Sequence, residues 1–434
     1  MATPGSGRHS KPGPPRGTRP GSRGRRRAAR RAAGLARLGQ QRRVRMAGGA
    51  GLTAAALAII ITAALARGGP HPDSAAAAGH AGARPAGPAP AAVRFCPVRP
   101  GHALRTALDK AVPGSRSAEM QPLGVSGSGQ VAYVSAWTPG FTGVAAVSLR
   151  TGKLRPIRAF ASPGTDQADG TSDGRWLVWA QTYSLSSLDR FTMYAWDSAT
   201  GRLEKLGTSI AGADGKPWPS PWHAPAVSGH YAAWAQGYGA GGLVEIRLAN
   251  LATGQVTTIR QGHTQPPLFD GGLVVWPESD APGTQTTLRA YSLARHRLVP
   301  LPAALRAVHG TEFVATDGTR TAYLSPDMTG LYYSPGQDQP ARLALRVPAG
   351  VDFASLAMAP GTLAWTTTQA TYLASTRTGA YTRVTPRYGY ATGSGSVLLV
   401  TDAPSQKQVH PPLALHVVTP GSISWPRCPP RMAG

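Results

Sequence analysis

One short motif recurs along this chain: an apolar run carrying an aromatic residue, followed by polar residues. It reads VAYVS from 131, WLVWA from 176, YAAWA from 231, LVVWP from 273, TAYLS from 321, LAWTT from 363 and VLLVT from 397. The equivalent positions are Tyr133, Trp179, Trp234, Trp276, Tyr323, Trp365 and Leu399, with a mean spacing of about 44 residues. A unit of this size cannot enclose a core alone. It buries its apolar face by stacking on copies of itself.

Two further signals belong to the unit. After each aromatic run comes a strand, a tight turn and another strand, as in AAVSLRTGKLRPI from 145, MYAWDSATGRLEKL from 193 and VEIRLANLATGQVTTI from 244. Thr-Gly supplies the positive φ that a tight hairpin needs. Before most copies stands a turn dipeptide: Asp173-Gly174, Ser228-Gly229, Asp270-Gly271 and Asp317-Gly318. Each unit therefore reads as four short antiparallel strands, A to D, with the aromatic in B. The 53 Gly and 40 Pro residues count against a helical alternative, since both are poor in helix interiors. Four-stranded units of this length are blades, and the expected fold is all-β, a seven-bladed β-propeller. The aromatics of strand B are expected in the core between blades.

The pattern resembles the TolB-like and WD-like β-propeller repeats, in which a Ser-x-Asp-Gly turn leads into an aromatic strand and a Thr-Gly hairpin follows. The resemblance covers roughly 121–425. It departs from the family pattern at Arg295-His296 and Gly336-Gln337, which replace Thr-Gly, and at Leu399, which replaces the aromatic. The Gly-His and Trp-Asp signature of WD repeats is absent as a set, and only Trp196-Asp197 echoes it. The resemblance implies a fold and leaves function open, because propellers host enzymes, lectins and scaffolds.

Strand alternation places A–B and C–D turns on one face and B–C and D–A loops on the other. The tight Gly turns fall in the first group. The long connections 184–190, 209–222, 237–242, 302–310 and 402–412 fall in the second, which is the expected binding face. Its best candidate is GKPWPSPWH, 215–223, in which prolines stiffen a segment holding Trp218, Trp222 and His223. Exposed tryptophan beside polar groups suits protein or sugar contact. The structural alternative is a plug, with both tryptophans folded back over a neighbouring blade.

Catalytic signatures are missing. There is no Gly-x-Ser-x-Gly elbow, His-Glu-x-x-His or phosphate loop. His223, His230, His263 and His309 fall near blade entrances and read as ordinary loop residues rather than ligands of a gathered metal. Asp173, Asp270 and Asp317 have the chemistry of calcium ligands, but their pairing with Gly makes turn formation the simpler account. No catalytic residue, metal ligand or cofactor is assigned.

The ends of the chain set its place. Residues 1–45 hold 14 basic residues and no acidic one, within a chain of formal net charge +25, and read as a disordered tail. Residues 46–66, MAGGAGLTAAALAIIITAALA, are uncharged and as a helix would span roughly 30 Å, a bilayer core. The basic flank on the N-terminal side places the N-terminus in the cytoplasm and the rest outside. The Ala/Gly/Pro-rich 67–94 reads as a linker, followed by the propeller over 95–430. The tail is a topology signal, so nucleic acid is not expected as a partner. Two alternatives stay open: secretion after cleavage near Ala66, and a start at Met46.

Cys96 and Cys428 bracket the repeats. In an exported protein such a pair is expected to be oxidised. Seven complete blades with no shared strand are expected, the last ending in its own strand from 422, so that the disulfide acts as the clasp. Residues 102–112 are expected as a short helix outside the first blade. The leading functional expectation is a non-enzymatic, membrane-anchored extracytoplasmic propeller that binds a protein or cell-surface glycan through its long-loop face. The runner-up is a propeller hydrolase or lyase with a metal in the central channel. A sensor that reports through the tail is a third class, without a signalling motif to support it.

Overall fold

The computed structural model describes residues 95–428, apart from 163–165, 184–188, 222–224, 282–283, 312, 349, 386–388, 395–396 and 403–413. These residues all belong to one compact unit, Gly49–Gly434. The expected tail, span and linker lie outside the described residues. No helix among the described residues is long and apolar enough to cross a membrane.

The fold is almost entirely antiparallel β. A two-residue strand, β1 (Cys96–Pro97), precedes helix α1 (His102–Asp109). The first set of strands is β2 (Glu119–Val125), β3 (Val131–Thr138), β4 (Phe141–Ser148) and β5 (Leu154–Ala159). The second is β6 (Gln167–Ser172), β7 (Trp176–Thr182), β8 (Phe191–Asp197) and β9 (Leu203–Thr208). The third is β10 (Ala226–Ser228), β11 (Tyr231–Gly239), β12 (Leu243–Asn250) and β13 (Gln255–Thr264). The fourth is β14 (Leu268–Asp270), β15 (Leu273–Ser279), β16 (Thr287–Ser292) and β17 (Arg297–Val299), followed by α2 (Ala303–Arg306). The fifth is β18 (Val314–Thr316), β19 (Thr321–Leu324), β20 (Gly330–Ser334) and β21 (Arg342–Arg346). The sixth is β22 (Phe353–Ala359), β23 (Thr362–Thr367), β24 (Thr371–Ser375) and β25 (Ala380–Thr385), and the last is β26 (Ala391–Ser394), β27 (Val397–Asp402) and β28 (Ala414–Val418).

Within each set, consecutive strands pair antiparallel. The third and fourth sets are also joined, where His263 and Thr264 of β13 pair with Ser279 and Glu278 of β15. The leading strands lie side by side in chain order, from β2 beside β6 to β22 beside β26, and β26 in turn lies against β2.

Packing follows the same order. Leu123 and Tyr133 of the first set meet Leu177 and Trp179 of the second. Trp176 and Val178 meet Val227 and Trp234, and Ile246 meets Phe269 and Trp276. Further on, Leu268 meets Tyr323, Leu331 meets Trp365, Leu373 meets Val400, and Leu399 meets Val125. The strand-B aromatics are thus core residues. Trp179, Trp234, Trp276 and Trp365 are essentially inaccessible, each contributing roughly 2–3 kcal/mol by burial. The Thr-Gly turns take the expected form, with φ between +69° and +75° at Gly152, Gly201, Gly254 and Gly379, and His296 substitutes at +50°.

Closure differs from the expectation in two respects. No strand begins at Ser422. Residues 420–422 form a 3₁₀ turn and 423–428 are irregular. The outer edge of β28 is met instead by the segment after α1: Ala111 bridges His416, Val112 N donates to Leu415 O at 2.7 Å, and Leu415 N donates to Ser115 Oγ at 3.1 Å. Helix α1 likewise packs away from the first set. Leu104 and Leu108, one turn apart on one face, join Leu373, Val400, Val418 and Trp425. The two chain ends therefore do share a sheet edge. Cys96 and Cys428 form the expected disulfide, with Cα atoms 5.8 Å apart across a sequence separation of 332.

Candidate functional site at the loop end of the sheets

The sets agree on which end of the strands carries the long connections. At one end tight turns touch from set to set: Gly127 N donates to Gly174 O at 2.8 Å, and Thr316 Oγ1 to Asp270 Oδ1 at 2.7 Å. At the other end the connection after β9 meets the last residues of β11, where Gly237 N donates to Ser220 Oγ at 2.8 Å. Ser220 N also reaches Asp189 Oδ1, in the β7–β8 connection, at 3.4 Å.

The connection after β9 has its own fold. Ala211 bridges Pro217, Gly212 N donates to Lys216 O at 2.7 Å, and Trp218 N donates to Ile210 O at 2.9 Å. Asp214-Gly215 makes the tip, with φ +75° at Gly215 and Asp214 Oδ1 accepting from Lys216 N at 3.0 Å. The result is a small hairpin with exposed residues 213–216. Trp218 is half-buried against this hairpin: a Cβ on Gly212 would stand 3.2 Å from its ring. The expected display of Trp218 is therefore partial, with one part of the ring held by its own loop. Trp222 and His223 lie outside the described residues.

Beside the hairpin, the loop ends of the first two sets hold a polar network. Arg158 Nε donates to Gln181 Oε1 at 3.0 Å, and Gln181 Nε2 donates to Asp166 Oδ2 at 3.1 Å. The same carboxylate oxygen caps the loop by accepting from Ala161 N and Ser162 N. The Arg158 guanidinium lies 4.2 Å over the Tyr194 ring, an arrangement favoured by the ring quadrupole. Nearby, on the innermost strands, Gln121 Nε2 donates to Asp169 Oδ1 at 3.3 Å. Burial pushes the Asp169 carboxyl up to about 7, against the lowering effect of the Gln121 bond.

The third and fourth sets repeat part of this design. Trp234 Nε1 donates to Gln236 Oε1 at 2.9 Å, and Gln236 Nε2 to Glu245 Oε1 at 3.0 Å. Trp276 Nε1 donates to Glu278 Oε2 at 3.1 Å, and Arg260 of β13 grips both Glu278 oxygens. Burial raises the Glu278 carboxyl, but Arg260, Trp276 and Arg289 more than offset it and hold it below the usual range. Sequence reasoning missed these residues although the signal is present. The position two after the strand-B aromatic is polar in every copy: Ser135, Gln181, Gln236, Glu278, Ser325, Thr367 and Thr401.

The remaining candidates are dispersed. His230 sits in a turn at the opposite end, where its carbonyl accepts from Leu251 N at 2.7 Å. His263 is 3.4 Å from Gly242 O, and His309 is exposed beside the β16 edge. Asp173 caps Arg175 N and Trp176 N, Asp270 accepts from Thr316, and Asp317 holds Arg320 at 3.0 Å. Each aspartate serves a turn or a contact between turns. Among the described residues no three His, Cys, Asp or Glu side chains come together as a metal cage.

No family model matches this chain, and no curated protein matches it. Solved structures resemble it at low identity. An oligogalacturonate lyase in complex with manganese is 14% identical over 70% of this chain and 90% of its own, with TM-score 0.48. An oligogalacturonate lyase from Vibrio parahaemolyticus is 8% identical over 71% and 92%, with TM-score 0.49. TolB from Acinetobacter baumannii is 14% identical over 70% and 65%, with TM-score 0.35. At these identities the likeness assigns no activity.

Proposed function

We propose that the chain is a membrane-anchored, exported seven-bladed β-propeller whose loop face binds a protein or a cell-surface ligand without chemistry of its own. The strand sets are its blades, and the segment 110–115 completes the last of them. The observation that supports the binding reading best is the pinned hairpin. Ser220 fixes it to Gly237, so a projecting loop carrying Trp218 is held in one orientation before any ligand arrives. Preorganisation of this kind lowers the ordering cost of binding. The opposite face offers mainly tight turns engaged with one another.

A photo-crosslinking amino acid at Lys216, on the exposed tip, tests this in intact cells. A discrete adduct from Lys216, and none from the same probe at Lys153 in a turn of the other face, is the expected result. Equal labelling from both positions would sink the assignment of the face. For topology, protease added to intact cells should cut beyond residue 70 and spare the basic tail. A soluble product that starts near Arg67 would favour secretion instead.

A further inference from the structure

We propose that β17 is a docking edge for an extended segment of a partner protein whose side chains alternate between carboxylates and apolar groups. The chain already lays a short extended segment of its own on an edge of this kind. In the sixth set, β1 runs parallel to β25, with Cys96 N donating to Gly379 O at 3.0 Å and Val98 N to Tyr381 O at 2.8 Å. The hairpin that offers those carbonyls has a close counterpart in the fourth set. Gly379 N bonds Ser375 O at 2.9 Å, and His296 N bonds Ser292 O at 2.9 Å. Both turn residues have positive φ, +73° and +50°. Tyr381 pairs with Ala374 as Leu298 pairs with Tyr291. This register maps His296 onto Gly379 and Leu298 onto Tyr381. The carbonyls of His296 and Leu298 thus hold the outward positions that β1 uses in the sixth set. Ala380, beneath β1, is fully buried, whereas its counterpart Arg297 is exposed.

Shape and charge select this edge from the other outer strands. Leu298 is 49% exposed, more than Leu203 or Leu343 at the edges of other sets. Two grooves of about 430 and 450 Å³ lie along the seam between β13 and β17, one walled by Leu298, Leu301 and Arg289, the other by Ile259, Tyr291 and His296. Arg289, Arg295 and Arg297 are exposed. Glu278, the carboxylate at this seam, is already held by Arg260, with Arg289 4.0 Å away. Arg295 and Arg297 make no ion pair among the described residues. An added strand would gain main-chain hydrogen bonds from the edge and apolar contact from the grooves, and its carboxylates would meet uncompensated guanidinium groups.

The test uses the purified full-length chain and the peptide acetyl-Asp-Val-Asp-Leu-Asp-Val-amide, followed by fluorescence anisotropy. Its lysine-for-aspartate analogue and a backbone N-methylated form serve as comparisons. The acidic peptide should bind, the basic one should not, and N-methylation should weaken binding at least about ten-fold. Arg297→Glu should weaken it by a similar factor with the melting temperature retained. Leu298→Asp, also at an exposed position, provides a second variant. Equal binding of both peptides, indifference to N-methylation, indifference to Arg297→Glu and Leu298→Asp, or no binding at all would each overturn the proposal.

Discussion

Arg260 in the last strand of the third set grips Glu278 of the fourth, and Glu278 in turn receives the indole N–H of Trp276, two residues earlier in its own strand. The same relation in reduced form links Arg158 of the first sheet to Gln181 of the second. A core aromatic is thereby tied to a polar clasp between neighbouring sheets. Removing one partner of a buried clasp leaves the others unpaired. Glu278→Ala should lower stability by about 2–4 kcal/mol, and Glu278→Gln by less, because an amide oxygen still accepts from the indole. Denaturant unfolding of both variants checks the order; an equal loss would show that the charge carries the whole effect and that the retained acceptor contributes nothing.

The hairpin pin gives a steric prediction. A Cβ on Gly237 would stand 2.1 Å from Pro219 O, closer than any real contact. Gly237→Ala should displace the segment 218–220 and cost about 1–3 kcal/mol. Hydrogen exchange should show the Gly212 and Trp218 amides opening more readily, with the β12–β13 amides unchanged. Wild-type protection throughout would show that the loop is not seated as described.

The Asp169 carboxyl titrates near 7 because burial disfavours its charge. Its folded pKa is raised above the unfolded value of about 3.9. The resulting stabilisation is present below about pH 4 and is lost as pH rises through about 7. Asp169→Asn should therefore be more stable than the wild type at pH 8, by about 1–2 kcal/mol; the side chain is only half-buried, which keeps this below the full effect of the shift. The advantage should vanish at pH 4. Thermal melts at the two pH values decide it, and an unchanged difference would exclude Asp169 as the titrating group.

The disulfide closes a loop long enough for the chain-entropy model to assign about 6 kcal/mol as an upper bound. Cys96→Ser with Cys428→Ser should lower the melting temperature under oxidising conditions. The wild type and the double variant should converge once the wild type is reduced. A persistent gap would point to packing lost at the substituted sites instead of the lost cross-link.

The repeat was legible because its core aromatics recur within a strand and its turns need Gly or Asp-Gly. Even the three-residue strands β14 and β18 announced themselves through the dipeptides that end them. Closure was not legible. Ala111 meets His416 and Ser115 meets Leu415, about 300 residues apart, and local periodicity carries no record of such a pairing. The run SISWP read as a strand, but Pro420 and Gly421 before it and its own Pro426 break the extended backbone. At the loop end, prolines and tryptophans drew attention to 215–223, of which 215–218 form one arm of the hairpin. Ser220 was missed because one serine in a loop does not reveal which amide it will cap.

The bond between Cys96 and Cys428 also sets how this fold meets mechanical load. Cys96 lies upstream of α1 and of the segment that closes the last sheet, and Cys428 lies downstream of every strand. Tension drawn between the two termini runs from one cysteine to the other and bypasses the 332-residue loop between them. The joint between Ala111 and His416 lies inside that loop and so carries none of this load. A tether on residue 95 can thus be pulled hard against a hold on the C-terminus without prising the sheets apart.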